Sequence, residues 1–450
     1  MSELQLSVTK TLECDVLVLG GGVSGISAGI CSARKGMKVI LADRNGCLGG
    51  TATVGMVGPF MTSFNPASTI QVIRGFFDEF VRRMEKEGGA VHPSKAPLGT
   101  SYTAYRVPGH QNVTAFHGET LKRVAEEMCL EEGIRLLYHV NFVKADVEDG
   151  IIKAAYFVCK RQIIKVVAKV FVDCSGDADL AAASGVPIVF GDGKGGVQPA
   201  SLFFKVRGVD KEKMDAHMFK DNNVQRQFYM QEIIEEREKG NFPIHRAKIM
   251  LFESFHDEWL VNMSQIEGVN ANDCVEVTDA EIEGRQQMVH IMKFLRKYVA
   301  GCENIVVCDS AESLGVRESN TIEGVYRMKT TDMRNRVKFE DSIMCCCNTE
   351  DLHQKGGVTG FRPVEEPYYI PYRSLLPLKV ENLLVAGRCI SCEREVSSAV
   401  RVMPPCFAIG QAAGVAAAMA VKEDCSPKVI DVKQLVDTLI ADGVYLGQEN

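Results

Sequence analysis

The chain has 450 residues, of which 46% are hydrophobic and 24% are charged, close to the average for a globular protein. A length beyond about 300 residues favours more than one domain, because single hydrophobic cores rarely grow larger. The formal net charge is −7 and there is no acidic or basic tail. This argues against a nucleic acid or an anionic membrane surface as the partner.

The N-terminal stretch MSELQLSVTKTLE lacks the basic start and apolar core of a signal peptide. The apolar segment FAIGQAAGVAAAMAV is shorter than the roughly 18 residues that a membrane span needs, so we expect a buried helix there and no membrane span. Sixteen cysteines without a secretory signal favour free thiols in a reducing compartment. The sequence thus predicts a cytoplasmic protein.

The first elements in the chain form a strand–turn–helix–strand unit over residues 14–43. CDVLVLG is typical of a buried strand, SGISAGICSARKG of a helix, and MKVILAD of a second strand. The turn carries Gly20, Gly22 and Gly25 in the GxGxxG spacing. In a dinucleotide fold these glycines permit the tight turn, the approach of a pyrophosphate and the packing of the helix on the strand.

The residue that ends the second strand is Asp43. A carboxylate at this position can accept hydrogen bonds from ribose hydroxyls and repels a 2′-phosphate, which disfavours NADP. An exposed aspartate without a ligand is the alternative. The unit therefore predicts a dinucleotide and leaves NAD and FAD open.

Three later stretches favour FAD over NAD. NGCLGGTATVGMVGP, directly after Asp43, has little side-chain bulk and suits an extended loop along a long ligand. FVDCSGDADLAAASG and LLVAGRCISCEREVSSAVRVMPPCFAIGQAAG each give a strand, a turn and a small-residue helix. We expect a helix that begins near Gly410 to direct its positive end at the flavin, which stabilises the reduced state.

These stretches, together with QPASLFFKVRGV, GVRESNTIEGVY and YYIPYRSLLP, resemble the FAD-dependent oxidoreductase family with the glutathione-reductase-type FAD fold. This branch is related to the fumarate reductase flavoproteins. The resemblance covers nearly the whole chain. It implies an α/β fold in which a Rossmann-like FAD-binding domain, residues 1–190 and 370–450, is interrupted by a mixed α+β substrate or cap domain, residues 191–369.

The resemblance also implies which residues approach an extended FAD. The expected cofactor-binding residues are Gly20, Gly22, Val23, Gly25, Asp43, Arg44, Gly49, Gly50, Thr51, Val143, Gly176, Asp177, Gly387, Arg388, Gly410 and Gln411. The chain departs from the family in two places. Asp43 replaces the more usual glutamate, and no histidine follows AGRCIS, so a histidine acid/base there cannot be carried over.

Arg401 is the leading candidate for substrate binding, because an arginine in a similar place binds the substrate carboxylate in the fumarate reductase relatives. Glu393 is a candidate to replace the missing histidine, and Tyr372 to donate a proton or orient the substrate. The alternatives are a structural salt bridge, a surface charge and a packed hydroxyl. His110 and His117 are weaker candidates, because a lone histidine is more often structural.

The pair Cys389-x-x-Cys392 and the run of cysteines at 345–347 invite a redox or metal interpretation. A redox pair usually lies at a helix N-terminus, and no helix start is evident here. The run lacks the second pair that a zinc site needs. We therefore expect no metal site.

The sequence predicts an enzyme that transfers a hydride between flavin N5 and a small organic substrate. Its second half-reaction is open, with an electron-acceptor protein or transiently bound NAD(P)H as partners, and a homo-oligomer stays open. Two alternatives remain. One is a FAD/NAD-binding synthase of thiazole-synthase-like type, and the other is an electron-relay subunit of a complex.

Overall fold

The structure is a computed structural model and describes residues 7–61, 63–96, 112–221, 223–357 and 359–448. Within these ranges the chain forms nineteen strands and twelve α-helices. The strands are β1 (Lys10–Glu13), β2 (Val16–Leu19), β3 (Val39–Ala42), β4 (Arg135–Leu137), β5 (Asn141–Glu148), β6 (Ile151–Cys159), β7 (Gln162–Val167), β8 (Val170–Asp173), β9 (Ile188–Phe190), β10 (Phe204–Arg207), β11 (Leu251–Glu253), β12 (Trp259–Val261), β13 (Val306–Ser310), β14 (Asn320–Ile322), β15 (Ser342–Cys346), β16 (Glu350–His353), β17 (Thr359–Arg362), β18 (Tyr368–Pro371) and β19 (Leu383–Val385). The helices are α1 (Val23–Arg34), α2 (Phe76–Lys86), α3 (Gly118–Glu131), α4 (Asp179–Ala183), α5 (Lys211–Met218), α6 (Val224–Gln227), α7 (Met230–Glu238), α8 (Cys274–Tyr298), α9 (Thr330–Arg334), α10 (Arg394–Val400), α11 (Met403–Lys422) and α12 (Val432–Ala441).

A five-stranded parallel sheet in the order β19-β8-β2-β3-β4 forms the centre of the fold. Helix α1 connects β2 to β3, so the first unit is the predicted βαβ crossover. Side chains alternate along a strand, and Val16 and Val18 lie in one core cluster while Leu17 and Leu19 lie in another. The sheet is therefore buried on both faces, which confirms the predicted Rossmann-like α/β fold.

One face of the sheet is covered by α1, which packs against α11 near the other end of the chain. The hydroxyls of Ser24, Ser27 and Ser32 on α1 donate to backbone carbonyl oxygens of α11 at 3.0, 2.7 and 2.9 Å. We call these three serines the serine clasp. Gly410 and Gly414 of α11 pack against the backbone of α1 beside these serines, so the two helices approach closely.

Helix α11 has the length and composition of a membrane span, with a mean hydropathy of 1.4, but 94% of that apolar window is buried inside the protein. The segment is thus a core helix in this structure, as the small residues of FAIGQAAGVAAAMAV indicate.

The opposite face of the parallel sheet is covered by a second sheet in the order β1-β7-β6-β5. Phe157 and Val166 of this sheet share a core cluster with Leu17 and Phe171 of the central one. The result is a three-layer arrangement of helices, parallel sheet and mostly antiparallel sheet.

A separate hydrophobic core lies in the middle of the chain, around the antiparallel sheet β11-β12-β10-β13. Its buried residues fall between 203 and 305 and include Phe204, Trp259 and Phe294. This region is mixed α+β and lies, in the sequence, between the segments that form the parallel sheet.

The two cores divide the chain differently from the predicted 191–369 insertion. Met328, Ile343 and Met344 belong to the same core cluster as Phe407 of α11. β15 also pairs with β18, which leads into the C-terminal segment. The stretch around 328–347 thus packs with the dinucleotide-binding part and not with the middle core.

Candidate functional site

The glycine turn lies at the carboxyl end of β2, where α1 begins. Gly20 has φ = +99°, and a Cβ there would lie 2.4 Å from the carbonyl oxygen of Cys174. A Cβ on Gly25 would lie 1.8 Å from the carbonyl oxygen of Gly20. A Cβ on Gly22, in contrast, would have no atom within 4 Å. The packing of the protein thus requires glycine at positions 20 and 25. Gly22, in contrast, borders open space just before α1 begins at Val23.

Asp43 at the end of β3 is buried and holds the turn in place. Its Oδ2 accepts a hydrogen bond from the Gly21 N–H at 2.5 Å, and its Oδ1 accepts one from the Asn45 N–H at 2.7 Å. Burial raises the pKa of this carboxyl, although both hydrogen bonds act in the opposite direction. A ribose contact would have to use the lone pairs that remain. Arg44 is exposed beside it, and Val143 is 50% exposed on β5.

The glycine-rich loop after Asp43 lies against the turn. Gly49 and Gly50 have φ of +108° and +53°, and the Gly49 N–H donates to the carbonyl oxygen of Gly21 at 2.8 Å. A Cβ on Gly50 would lie 3.0 Å from the Cα of Gly22. Thr51 follows and lines the cavity described below. The structure therefore brings the first two predicted motifs together.

The two remaining motifs, FVDCSGDADL and LLVAGR, lie at the carboxyl ends of β8 and β19, along the same edge of the sheet. Arg388 donates to the carbonyl oxygen of Gly176 at 2.6 Å and to Asp177 Oδ1 at 2.6 Å. Gly387 has φ = +90°, and a Cβ there would lie 2.9 Å from Ser24 Oγ. The carboxyl ends of neighbouring parallel strands thus collect these residues, which is where open α/β sheets bind their ligands.

Gly410 and Gln411 are placed elsewhere than predicted. Helix α11 begins at Met403, so Gly410 lies two turns inside the helix. A Cβ on Gly410 would lie 2.2 Å from the carbonyl oxygen of Ser24, which makes this glycine a packing residue. Gln411 Oε1 accepts a hydrogen bond from the Phe76 N–H at 3.0 Å. The side-chain carbonyl of Gln411 thus accepts a hydrogen bond from an otherwise unpaired N–H at the start of α2 and does not face a cofactor.

A cavity of about 540 Å³ lies between the glycine-rich loop, the middle core and the N-terminus of α11. Its cationic lining residues among the described ranges are Arg246, Lys248, Arg317, Arg388 and Arg401. The carboxylate of Asp351 and the imidazole of His353 also line it. Thr51, Gly58 and Met403 form the side that is nearest to the dinucleotide motifs.

The arginines of this cavity are buried close enough together to lower one another's pKa values. Arg317 donates to the carbonyl oxygen of Pro199 at 2.6 Å and to Ser201 Oγ at 2.8 Å. Burial, together with the charges of Arg246 and Arg401, lowers the pKa of the Arg317 guanidinium to about 9. Burial also lowers the pKa values of Arg246 and Arg401. An uncompensated positive charge is costly away from water, so the cavity favours an anion.

Of the predicted catalytic residues, Arg401 lines this cavity and the other two do not. Arg401 donates to the backbone oxygen of Asp351 at 3.1 Å. Glu393 Oε2 accepts the Thr330 N–H at 2.7 Å at the start of α10. The Tyr372 hydroxyl is buried and donates to the carbonyl oxygen of Pro427 at 2.8 Å. The geometry gives Glu393 and Tyr372 structural roles.

The weaker candidates also lie outside the cavity or outside the described residues. His110 falls in 97–111, which the structure does not describe. His117 lies beside Thr120 Oγ at 3.2 Å and is absent from the cavity lining. Cys389 and Cys392 are buried free thiols, and burial raises the pKa of Cys392 to about 12. Within the described ranges, no cluster of three metal-ligating side chains is found.

Sequence reasoning missed most of the cation cluster. Arg317 lies inside GVRESNTIEGVY, a stretch that carried the family resemblance, so a signal was present. Arg246 and Lys248 lie in an irregular segment before β11, and Asp351 and His353 lie on β16. Neither segment has a recognisable motif, and only the fold brings the two together.

The buried ion pair between Arg388 and Asp177 lies at the carboxyl ends of β8 and β19, and its contribution to stability can be tested. Asp177 Oδ1 also accepts from Ser319 Oγ at 2.6 Å. Replacing Asp177 by asparagine should lower the free energy of unfolding of the FAD-free protein by about 3 kcal/mol, because it leaves a buried arginine unpaired. Denaturant unfolding monitored by circular dichroism measures this loss. Glu119→Gln, at an exposed ion pair, should change stability by less than about 1 kcal/mol.

The pH dependence of the free energy of unfolding should reflect the same ion pair. Burial acts to raise the pKa of Asp177, but the Arg388 charge and the hydrogen bonds outweigh it and the pKa is lowered. The stabilisation is therefore present above the ordinary carboxyl pKa of about 3.9 and is lost as the pH falls toward the folded-state value. An equal loss for wild type and Asp177→Asn in that range would contradict this account.

The fold and the collected motifs define a dinucleotide-binding protein with a Rossmann-like α/β core. A family model described as FAD dependent oxidoreductase matches residues 15–439. The chain belongs to this family. It is an enzyme, and its cofactor is FAD. The open space that a Cβ on Gly22 would enter fits such a cofactor.

Two curated proteins are similar over short segments. A 4-oxocyclohex-2-ene-1-carboxylate 5-dehydrogenase of Sinomonas cyclohexanicum is 42% identical over 45 residues, 10% of this chain and 8% of that protein. A thiamine thiazole synthase of Methanococcus aeolicus is 42% identical over 60 residues, 13% of this chain and 23% of that protein. The matches thus span less than a quarter of either relative.

Solved structures are similar along most of the chain at low identity. A geranylgeranyl bacteriochlorophyll reductase-like protein from Thermoplasma acidophilum has a TM-score of 0.46 and 13% identity, covering 97% of this chain and 85% of that one. The L-proline dehydrogenase from P. horikoshii has a TM-score of 0.45 and 12% identity, covering 98% of this chain and 100% of that one. The p-nitrophenol 4-monooxygenase PnpA from Pseudomonas putida DLL-E4 has a TM-score of 0.48 and 10% identity, covering 98% and 91%.

Proposed function

We propose that this FAD dependent oxidoreductase transfers a hydride between the bound flavin and a small organic anion. The observation that carries the proposal is the charge of the cavity. Arg388 is paired with Asp177. Among the lining residues that the structure describes, this leaves the cations of Arg246, Lys248, Arg317 and Arg401 against the one carboxylate of Asp351. Four positive charges and one negative charge give a net charge of +3, which an anionic substrate would offset.

The chain's own residues would bind and orient this substrate. Arg401 lies directly before α11, and its planar guanidinium can bind a carboxylate through two hydrogen bonds. Its Nε is buried and has no hydrogen-bond partner within the described part of the chain. Phe203, Met250 and Phe252 supply the apolar wall that excludes water from the reacting carbon. FAD, when bound, supplies a two-electron centre that accepts or donates a hydride.

The name of the Sinomonas relative contains a carboxylate substrate and a dehydrogenase activity, and both agree with this proposal. The similarity to a thiamine thiazole synthase supports a second candidate, a redox-neutral synthase that uses the same dinucleotide fold. An electron-relay subunit is a third. The electron acceptor would be a protein or NAD(P)H that binds transiently.

Anaerobic mixing experiments separate these candidates. The purified protein should be yellow, and its flavin absorbance should bleach when a small organic acid with an oxidisable C–H bond is added. Neutral amides of the same acids should bleach it at least about 100-fold more slowly, because they lack the charge that the arginines bind. Bleaching only in the presence of partner proteins would favour the relay subunit. Turnover without any change in flavin redox state would favour the synthase.

A further inference from the structure

Helix α8 carries a row of exposed apolar side chains that the proposed function does not use. Val275, Ile282 and Val289 are 65%, 50% and 51% exposed. They are spaced seven residues apart, which is close to two helical turns, so they form one line over about 21 Å of the helix. We call these three side chains the α8 row. Single apolar residues are ordinary at a surface, but an aligned row on the solvent side of a helix points to a partner.

The α8 row faces away from the rest of the protein. At about 100° per residue, Ala280 and Ile291 lie on the opposite side of the helix from Ile282, and both are buried. Ile291 and Phe294 belong to the middle core. That core therefore accounts for one face of α8, while the opposite face, which carries the α8 row, stays exposed.

The charges of α8 divide by sign between its two halves. Residues 274–283 include no lysine or arginine, and residues 284–298 include no aspartate or glutamate. The helix macrodipole favours this order only in the first and last turns, and the division continues through the middle of the helix. The acidic side chains are Glu276, Asp279, Glu281 and Glu283, and the basic side chains are Arg285, Lys293, Arg296 and Lys297.

Both patterns are self-complementary in a pair of antiparallel helices. The α8 row is symmetrical about Ile282, so a two-fold axis at that residue places Val275 level with Val289 of a second copy. The two Ile282 side chains then meet at the axis. The same rotation lays the acidic half of each helix over the basic half of the other, with Asp279 level with Arg285 of the second copy. A parallel pair would bring like charges together.

We infer that this protein forms a homodimer in which two copies of α8 pair antiparallel through the α8 row. The inference goes beyond the proposed function and does not depend on it, because no residue of α8 is among the described residues that line the cavity. A contact made mainly by one helix from each copy is at the small end of specific interfaces, so we expect a dimer that dissociates on dilution.

Sedimentation equilibrium of the FAD-loaded protein over a dilution series measures this dimer. Ile282→Glu and Ile282→Lys should each raise its dissociation constant at least about 100-fold, because each places two like charges at the two-fold axis. An equimolar mixture of the two variants should form a heterodimer, since opposite charges then meet. The control is Val429→Glu, at a side chain that is 69% exposed outside α8, which should leave the dissociation constant unchanged.

Three results would overturn the inference. The first is a wild-type protein that stays monomeric at every concentration, which includes the case in which a different protein covers this face. The second is a dimer that Ile282→Glu leaves intact, and the third is a mixture of the two variants that stays monomeric. Circular dichroism and FAD content establish that each variant is folded. Failure of the proposed function would show separately, as no flavin bleaching by any organic acid.

Salt distinguishes the antiparallel pair from a parallel one. Raising the ionic strength from about 0.05 M to about 0.5 M should raise the dissociation constant of the wild-type dimer, because it screens the attraction between opposite halves of the two helices. A parallel pair would respond in the other direction, since salt would screen the repulsion between like halves. A wild-type dimer that salt strengthens would therefore contradict the antiparallel arrangement.

Discussion

Replacing Gly22 by valine is expected to leave a folded protein that no longer holds FAD. A Cβ at this position meets no atom within 4 Å, and Gly22 has φ = −66°, which any residue adopts. The side chain would occupy the open space that the pyrophosphate needs. We expect the dissociation constant for FAD to rise at least about 100-fold, because contact with the helix N-terminus is blocked. Titration of the apoprotein with FAD, followed by fluorescence, measures this.

Two further variants control this result. Gly118→Val also places its Cβ in open space, at the start of α3, and should retain FAD affinity. Gly25→Ala should destabilise the protein itself, because its Cβ would collide with the carbonyl oxygen of Gly20. If Gly22→Val binds FAD with wild-type affinity, the glycine turn is not the cofactor site.

Replacing Arg401 by methionine is expected to lower kcat/KM for the anionic substrate about 10²- to 10³-fold. The change keeps an unbranched apolar stem and removes the guanidinium with its charge. Losing one partner of a buried ionic contact costs about 3–4 kcal/mol. Arg401→Lys should recover only part of the loss, since lysine keeps the charge without the planar fork of donors. Steady-state kinetics and anaerobic flavin reduction both measure the effect.

The comparison variant is Arg336→Met, which removes an exposed arginine that is paired with Glu366 and is remote from the cavity lining. It should leave kcat/KM within about twofold. Equal kcat/KM for wild type and Arg401→Met would show that Arg401 does not contact the substrate. The folded state should persist in both variants, which thermal unfolding checks.

The glycine turn was predictable because its constraints are local. Gly20 requires a positive φ and Gly25 a close helix approach, and both requirements follow from the sequence spacing alone. Asp43 at the strand end follows from the same pattern. The structure adds that its carboxylate is already bonded to the turn, which the sequence did not reveal.

Gly410 shows how one sequence motif can suit two different roles. Small residues in FAIGQAAG suit either a cofactor or a neighbouring helix, because both need close backbone approach. In the structure Gly410 packs against the backbone of Ser24 on α1, so its small size serves the contact between the two helices. No property of residues 407–414 alone encodes that contact, and the true helix start at Met403 lies just after the pocket residue Arg401.

The cation cluster was unpredictable for a related reason. Arg246, Arg317 and Arg401 lie on segments that have no shared period or motif, and they meet only after the middle core has formed and docked beside the sheet. A single arginine in a loop is usually a solvated charge. The role of these arginines here depends on their burial and on their neighbours, which are properties of the folded chain.

The serine clasp has a consequence for biosynthesis. Ser24, Ser27 and Ser32 leave the ribosome some 380 residues before their acceptors on α11. At typical translation rates of about 5–20 residues per second, α1 waits roughly 20–80 s for its partner. During that time the face of α1 that packs against α11 has no partner helix to cover it.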